Sequence, residues 1–167
     1  MTNLKIETIE KRMRPGNWIP DGLLRPDQSL KQIIENDKKN LQKLGTNSKE
    51  LGAMLSALIE KASKSNKHRA EKNRNYDIEI IRTPGLASCP WSEEEFTICT
   101  HGEGQKYLSY IQFHITNLNN KIAIYGNSLM IHLIRDHGFF GGPDTKYRIE
   151  PSILYALLEN QIKRARG

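Results

Sequence analysis

Four side chains in this sequence carry the types and order needed to hold a metal. His132 and His137 lie in "SLMIHLIRDHGFFGG" (residues 128–142), whose apolar spacing predicts a short amphipathic helix stopping at Gly138. Cys89 and Cys99 are the only cysteines of the chain. Thiolates and imidazoles are the donors zinc prefers, and a closed structural site takes four of them at tetrahedral angles. A disulfide is not expected of two cysteines in a reducing compartment, so the alternative to ligation is a pair of core thiols. Histidines five positions apart on an ideal helix point about 140° away from each other. They are therefore expected to converge through a tightened or unwound last turn, for which Gly138 leaves room. His101, two residues after Cys99, is an alternative ligand. His114 is expected on a strand face and His68 in solvent.

The order of these residues resembles a two-cysteine, two-histidine zinc finger. Cys89 and Cys99 come first, a β-hairpin is predicted next, and the helix bearing His132 and His137 follows. The resemblance covers roughly residues 86–140. It implies a bound Zn2+ held by Cys89, Cys99, His132 and His137, and a strand–strand–helix module around it. The spacing departs from the family: nine residues separate the cysteines, and 32 separate Cys99 from His132, where a compact finger has about 12. A base-reading role does not carry over to so enlarged a module. "CPW…CTHG…HLIRDHGFF" also faintly resembles short bacterial proteins to which no activity is attached.

The elements that must position these residues predict an α+β protein. Residues 1–28, with three prolines and two glycines in "MRPGNWIPDGLLRPDQ", suggest an extended arm. Its Trp18, Ile19, Leu23 and Leu24 would dock on the body or on a partner. Residues 29–75 suggest a helical hairpin with a basic end. One helix is capped by Ser29 and stopped at Gly45; the next is capped by Asn47 or Ser48 and lined by Leu51, Leu55, Leu58, Ile59 and Ala62. Residues 76–167 suggest the zinc-finger-like body. It starts with a strand at "YDIEIIR" and a strict alternation in "YLSYIQFHIT" (107–116). A turn at "NLNN", a strand at "KIAIYG" and the histidine helix follow, and a last helix starts at Pro151. Phe139 and Phe140 are expected to close the small core below the metal, with a partner anchor as the alternative, and Trp91 to shield the site.

The net charge of +6 is concentrated at one end. Residues 1–75 hold sixteen Lys and Arg against nine Asp and Glu, and residues 76–167 hold nine against ten. Lys61, Lys64, Lys67, Arg69, Lys72 and Arg74 form the densest cluster, which would suit a nucleic acid or another acidic partner unless it is simply a solvated helix end. No apolar run is long enough to span a bilayer and no secretory leader is evident, so a cytoplasmic protein without a membrane partner is expected. Three function classes follow: a zinc-containing binding or adaptor protein, a metal-dependent nuclease or hydrolase, and a small subunit of a larger assembly. The hydrolase would draw on Asp136 and Asn117, with His114 as general base, but four protein ligands would leave no open position on its metal. Glu93–Glu95 suggest a solvated loop, and no phosphate-binding loop or HExxH motif is present.

Overall fold

The computed structural model of the chain describes residues 4–64, 71–72, 75–105 and 109–167, with the backbone alone at 71–72, 84–86 and 109–110. The fold is mixed α+β. Four antiparallel strands, β1 (Glu71–Lys72), β2 (Tyr76–Leu86), β3 (Ser109–Asn117) and β4 (Ala123–Asn127), form one sheet in sequence order. Among the described residues there are six helices: α1 (Ile6–Met13), α2 (Leu30–Lys43), α3 (Ser48–Lys64), α4 (Ser128–His137), α5 (Pro151–Leu157) and α6 (Glu159–Arg166). None of them is long and apolar enough to cross a membrane.

The period-two pattern of β3 sorts its side chains as alternation requires. Phe113 and Ile115 are buried toward the helices, whereas Gln112 and His114 face outward. In register, His114 lies between Glu79 of β2 and Tyr125 of β4. Helix α3 contacts β2, and α4 contacts β3 and β4, so the helices cover the apolar face of the sheet. Ser29 caps α2 through the amide of Gln32, and Asn127 caps α4 through the amide of Met130. Although α2 and α3 are consecutive, each finds its principal helical partner elsewhere: α2 against α5, and α3 against α4.

The crossing of α3 and α4 is close because Gly52 has no side chain. A Cβ at Gly52 would stand 2.6 Å from both Cα and Cβ of Arg135. This contact sets the distance at which the histidine helix sits, and every residue of α4 from Leu129 to Arg135 is buried.

Two expectations require correction. The first 28 residues are not extended throughout, since Ile6–Met13 is helical. No side chain caps its start at Lys5, so the usual signal for the start of a helix is missing. Its apolar positions pack within the chain: Ile9, Met13, Ile19, Leu23 and Leu24 are buried, and the Met13 carbonyl accepts from the amides of Leu23 and Leu24. The C-terminal segment is two helices rather than one. The chain breaks at Leu158 (φ −90°, ψ 7°), where side chains of other elements take the carbonyls ending α5. Leu157 O accepts from Asn117 Nδ2 at 2.8 Å and from the Tyr76 hydroxyl at 3.0 Å, and Ala156 O accepts from Asn120 Nδ2 at 2.8 Å. Thus Asn117 is a structural residue of the β3–β4 turn, and its Oδ1 accepts from the amides of Asn119 and Asn120.

Two stability measurements check this picture. Replacing Gly52 by Ala forces backbone apart, and chemical denaturation should show a loss of about 1–3 kcal/mol. Tyr76→Phe should cost about 1 kcal/mol at neutral pH, because Leu157 O keeps its bond from Asn117. Burial pushes the Tyr76 phenol up to about 12. The unfolded chain ionises first, near pH 10. Stability is therefore full below about pH 10 and falls as pH rises toward 12. The Phe variant should lose this part of the alkaline transition.

Candidate metal centre

The loop between β2 and β3 brings both cysteines under the end of α4. Cys89 opens a tight turn, in which the Ser92 amide donates to its carbonyl at 2.9 Å, and Cys99 opens a wider loop closed by the Gln105 amide on its carbonyl at 2.8 Å. The amides of Trp91 and Ser92 also hydrogen-bond to Cys89, and that of His101 to Cys99, each favouring a thiolate. Gln105 ties the two halves of the loop together, with its Nε2 donating to Ala87 O at 2.7 Å and its Oε1 accepting from the Cys99 amide at 3.4 Å.

Cys89, Cys99, His132 and His137 converge, with one donor atom from each lying within 4.8 Å of the others. Nε2 of His137 is 3.3 Å from Cys89 Sγ and 3.6 Å from Cys99 Sγ. A tetrahedral ion bonded at zinc's usual lengths to sulfur and nitrogen would separate its donors by about 3.3–3.8 Å. No disulfide joins the cysteines. The donor set therefore fits a metal ion in type, number and spacing.

The histidines meet without the helical irregularity expected from their spacing. Helix α4 runs regularly through His137, and Gly138 (φ 66°) ends it in the left-handed conformation. The Gly138 amide bonds back to Ile134 O, and that of Phe139 to Leu133 O. The side chains make the convergence instead, with the two imidazoles perpendicular at 88° and their centroids 5.0 Å apart. Phe139 and Phe140 are fully buried immediately after the helix, as core residues.

His132 carries the clearest sign of a missing partner. Its Nδ1 is 2.7 Å from Asp136 Oδ2, one helical turn on. Its Nε2 is buried and has no hydrogen-bond partner. A carboxylate on Nδ1 places the ring proton there and leaves the Nε2 lone pair directed inward, the arrangement of a metal-bound histidine with a carboxylate behind it. Asp136 is itself fixed by Arg135, whose Nη2 and Nε donate at 2.8 and 3.1 Å, and by the Glu103 amide at 3.0 Å. Burial pushes its carboxyl up, but these hydrogen bonds outweigh that and hold it below the ordinary carboxylate range. The backbone at Gly102 lies so close that a Cβ there would stand 2.6 Å from Asp136 Oδ1.

Electrostatics prepare the remaining donors. Burial lowers the His137 pKa, which keeps the imidazole neutral and able to ligate. Burial and its hydrogen bond with Cys99 push the Cys89 thiol up. The same bond, with help from His132 and His137, pulls Cys99 down. Trp91 stacks on the His137 ring at 4.1 Å and 10°. His101 packs edge-on to His137 at 5.5 Å and stands outside the group of four. His114 is on the outward face of the sheet, stacked on Tyr125 at 4.2 Å.

Sequence reasoning missed two supports. One is Asp136 as the partner of His132, although an i, i+4 spacing on one helix face does signal it. The other is Arg12 of α1, which donates to Pro90 O at 2.9 Å, Ser92 O at 2.6 Å and Glu93 O at 3.3 Å. That guanidinium also lies 4.0 Å over the Trp18 ring. Nothing local in the sequence links Arg12 to a turn some eighty residues away. Of the basic cluster, Lys61 and Lys64 lie in the last turn of α3. Lys67, Arg69 and Arg74 lie outside the described residues, and Lys72 is described by its backbone alone.

Compared with known protein families, curated proteins and solved structures, the chain matches none.

Asp136→Asn keeps the shape but removes the charge that orients and strengthens His132. Metal affinity, measured by competition with a chromophoric chelator, should fall by roughly 10- to 100-fold. The absorption spectrum of the cobalt-substituted protein should still report two thiolate ligands.

Proposed function

We propose that this chain is a zinc protein whose metal is structural, and that it acts by binding a partner rather than by catalysis. The observation that carries the reading is the closed set of four donors, with the buried Nε2 of His132 directed inward and otherwise unpaired. A buried nitrogen without a partner costs about 1–3 kcal/mol, which a cation at the centre of the four would reverse. Zinc is favoured over other cations because two thiolates and two imidazoles suit its softness and its tetrahedral preference.

Several features speak for a structural role. Four protein donors leave no position for a metal-bound water, which hydrolysis requires. Asn117 and His114, which a hydrolase would need nearby, are committed elsewhere: Asn117 to the end of α5, and His114 to the outward face of the sheet. Fixed by the metal, the β2–β3 loop, α4 and the helices packed on them would form a rigid body. The partner, an acidic protein or a nucleic acid, would be met by the basic segment that leaves α3 at Lys61 and Lys64 and continues through Lys67, Arg69, Lys72 and Arg74.

Elemental analysis of the purified protein should find one zinc per chain. Cys89→Ser and His137→Ala should each abolish it and lower the melting temperature. A metal-free wild type with an unchanged melting temperature after added zinc would refute the reading. A bound metal with an exchangeable water would favour the hydrolase instead.

A further inference from the structure

The two edges of the sheet are built differently. At one end β1 is only two residues long, and both, Glu71 and Lys72, are charged residue types. Short, charged edge strands keep a sheet from pairing with another chain. At the other end β4 reads AIYGN, five residues without a charge or a proline. Its Ala123 is exposed, and its Tyr125 is 75% exposed.

The backbone of β4 is also open. The Asn117 amide donates to Ile122 O at 2.8 Å, so residues 117 and 122 form a hydrogen-bonded pair across the hairpin. Bonded pairs alternate along an antiparallel ladder, and the register carries them to Ile115 opposite Ile124 and Phe113 opposite Gly126. Ile124 and Gly126 therefore direct their N–H and C=O groups to β3, and Ala123 and Tyr125 direct theirs away from it. Among the described residues, no turn, loop or side chain bonds to the backbone of Ala123 or Tyr125. The Tyr125 ring continues the pattern. His114 of β3 stacks on one of its faces at 4.2 Å and 10°, so the other face looks over the place where a further strand would lie.

We infer that β4 pairs edge to edge with β4 of a second copy of this chain, antiparallel about a two-fold axis at Ile124. In that register Ala123 of each copy stands opposite Tyr125 of the other, and the two residues exchange both of their backbone bonds, giving four bonds across the axis. The edge is self-complementary, as a two-fold contact requires. Each large ring meets a methyl group, and no like charges are opposed. Lys146 and Tyr147 stand beside Gly126 and Asn127, which leaves the stretch from Ala123 to Tyr125 as the open part of the edge. One sheet would then run through both copies, with β1 at its two outer ends. None of the four metal donors takes part, so the inference does not rest on the zinc reading.

The test uses the full chain as purified. Sedimentation equilibrium should show a reversible dimer forming over roughly 10 µM to 1 mM, as suits a contact smaller than a standard interface. Amide hydrogen exchange should then slow with concentration at Ala123 and Tyr125, whereas Ile124 and Gly126 should be protected at every concentration. Ala123→Lys and Tyr125→Lys place a charge at exposed positions of the edge, and each should raise the dissociation constant at least about tenfold with an unchanged far-UV circular dichroism spectrum. Ile81→Lys, at an exposed position on β2 away from the edge, should leave it unchanged. A monomer throughout the concentration range would overturn the inference, and so would a dimer insensitive to both edge variants. A dimer broken by Ile81→Lys but not by the edge variants would place the contact on the sheet face and overturn it as well.

Discussion

Four donor atoms from three stretches of chain have to stay within a few ångströms of one another, and most of the surrounding structure serves that requirement. Cys89 and Cys99 come from a loop that has no regular structure of its own. His132 and His137 come from a helix that is buried along most of its length. Without outside support, charge repulsion and desolvation would drive such a cluster apart. The support is largely electrostatic and local: Asp136 behind His132, Arg135 and the Glu103 amide behind Asp136, and backbone amides behind the sulfurs. A cation shared by all four donors completes the balance in the zinc reading.

The larger elements set the frame within which these contacts can be short. Helix α4 sits where it does because α3 presents Gly52 at their crossing. The sheet holds its hairpin turn against the end of α5 through Asn117 and Asn120. Arg148 binds both oxygens of Asp37 at 2.6 and 2.8 Å and also donates to Gly141 O, which fastens the chain beyond Phe140 to α2. Helices, sheet and loop thus share one apolar cluster, to which α1 contributes Ile9 and Met13.

What the sequence made legible follows from the range of the signals. The ligand residues could be picked out because cysteine is rare here and the two histidines share a helix with a glycine stop. The alternation of β3 and the caps at Ser29 and Asn127 were readable because they depend on neighbours within a few residues. Helix α1 was not, since its cap position is Lys5 and its apolar face is completed only by residues far along the chain. The break at Leu158 was equally hidden, because side chains of β2 and of the β3–β4 turn create it. Convergence of His132 and His137 was expected from a distorted turn, but side-chain torsions reach the same end with a regular backbone.

The link from Arg12 to the carbonyls of Pro90, Ser92 and Glu93 bears on the order in which the molecule can be completed. Helix α1 is made before the loop it fastens, so the guanidinium of Arg12 has nothing to hold until about eighty further residues have followed. The Cys89 turn in turn lacks one of its fastenings until the N-terminal segment folds back onto it. The contact that ties α1 to the Cys89 turn is thus long-range, and it can form only after the loop that it fastens has been made.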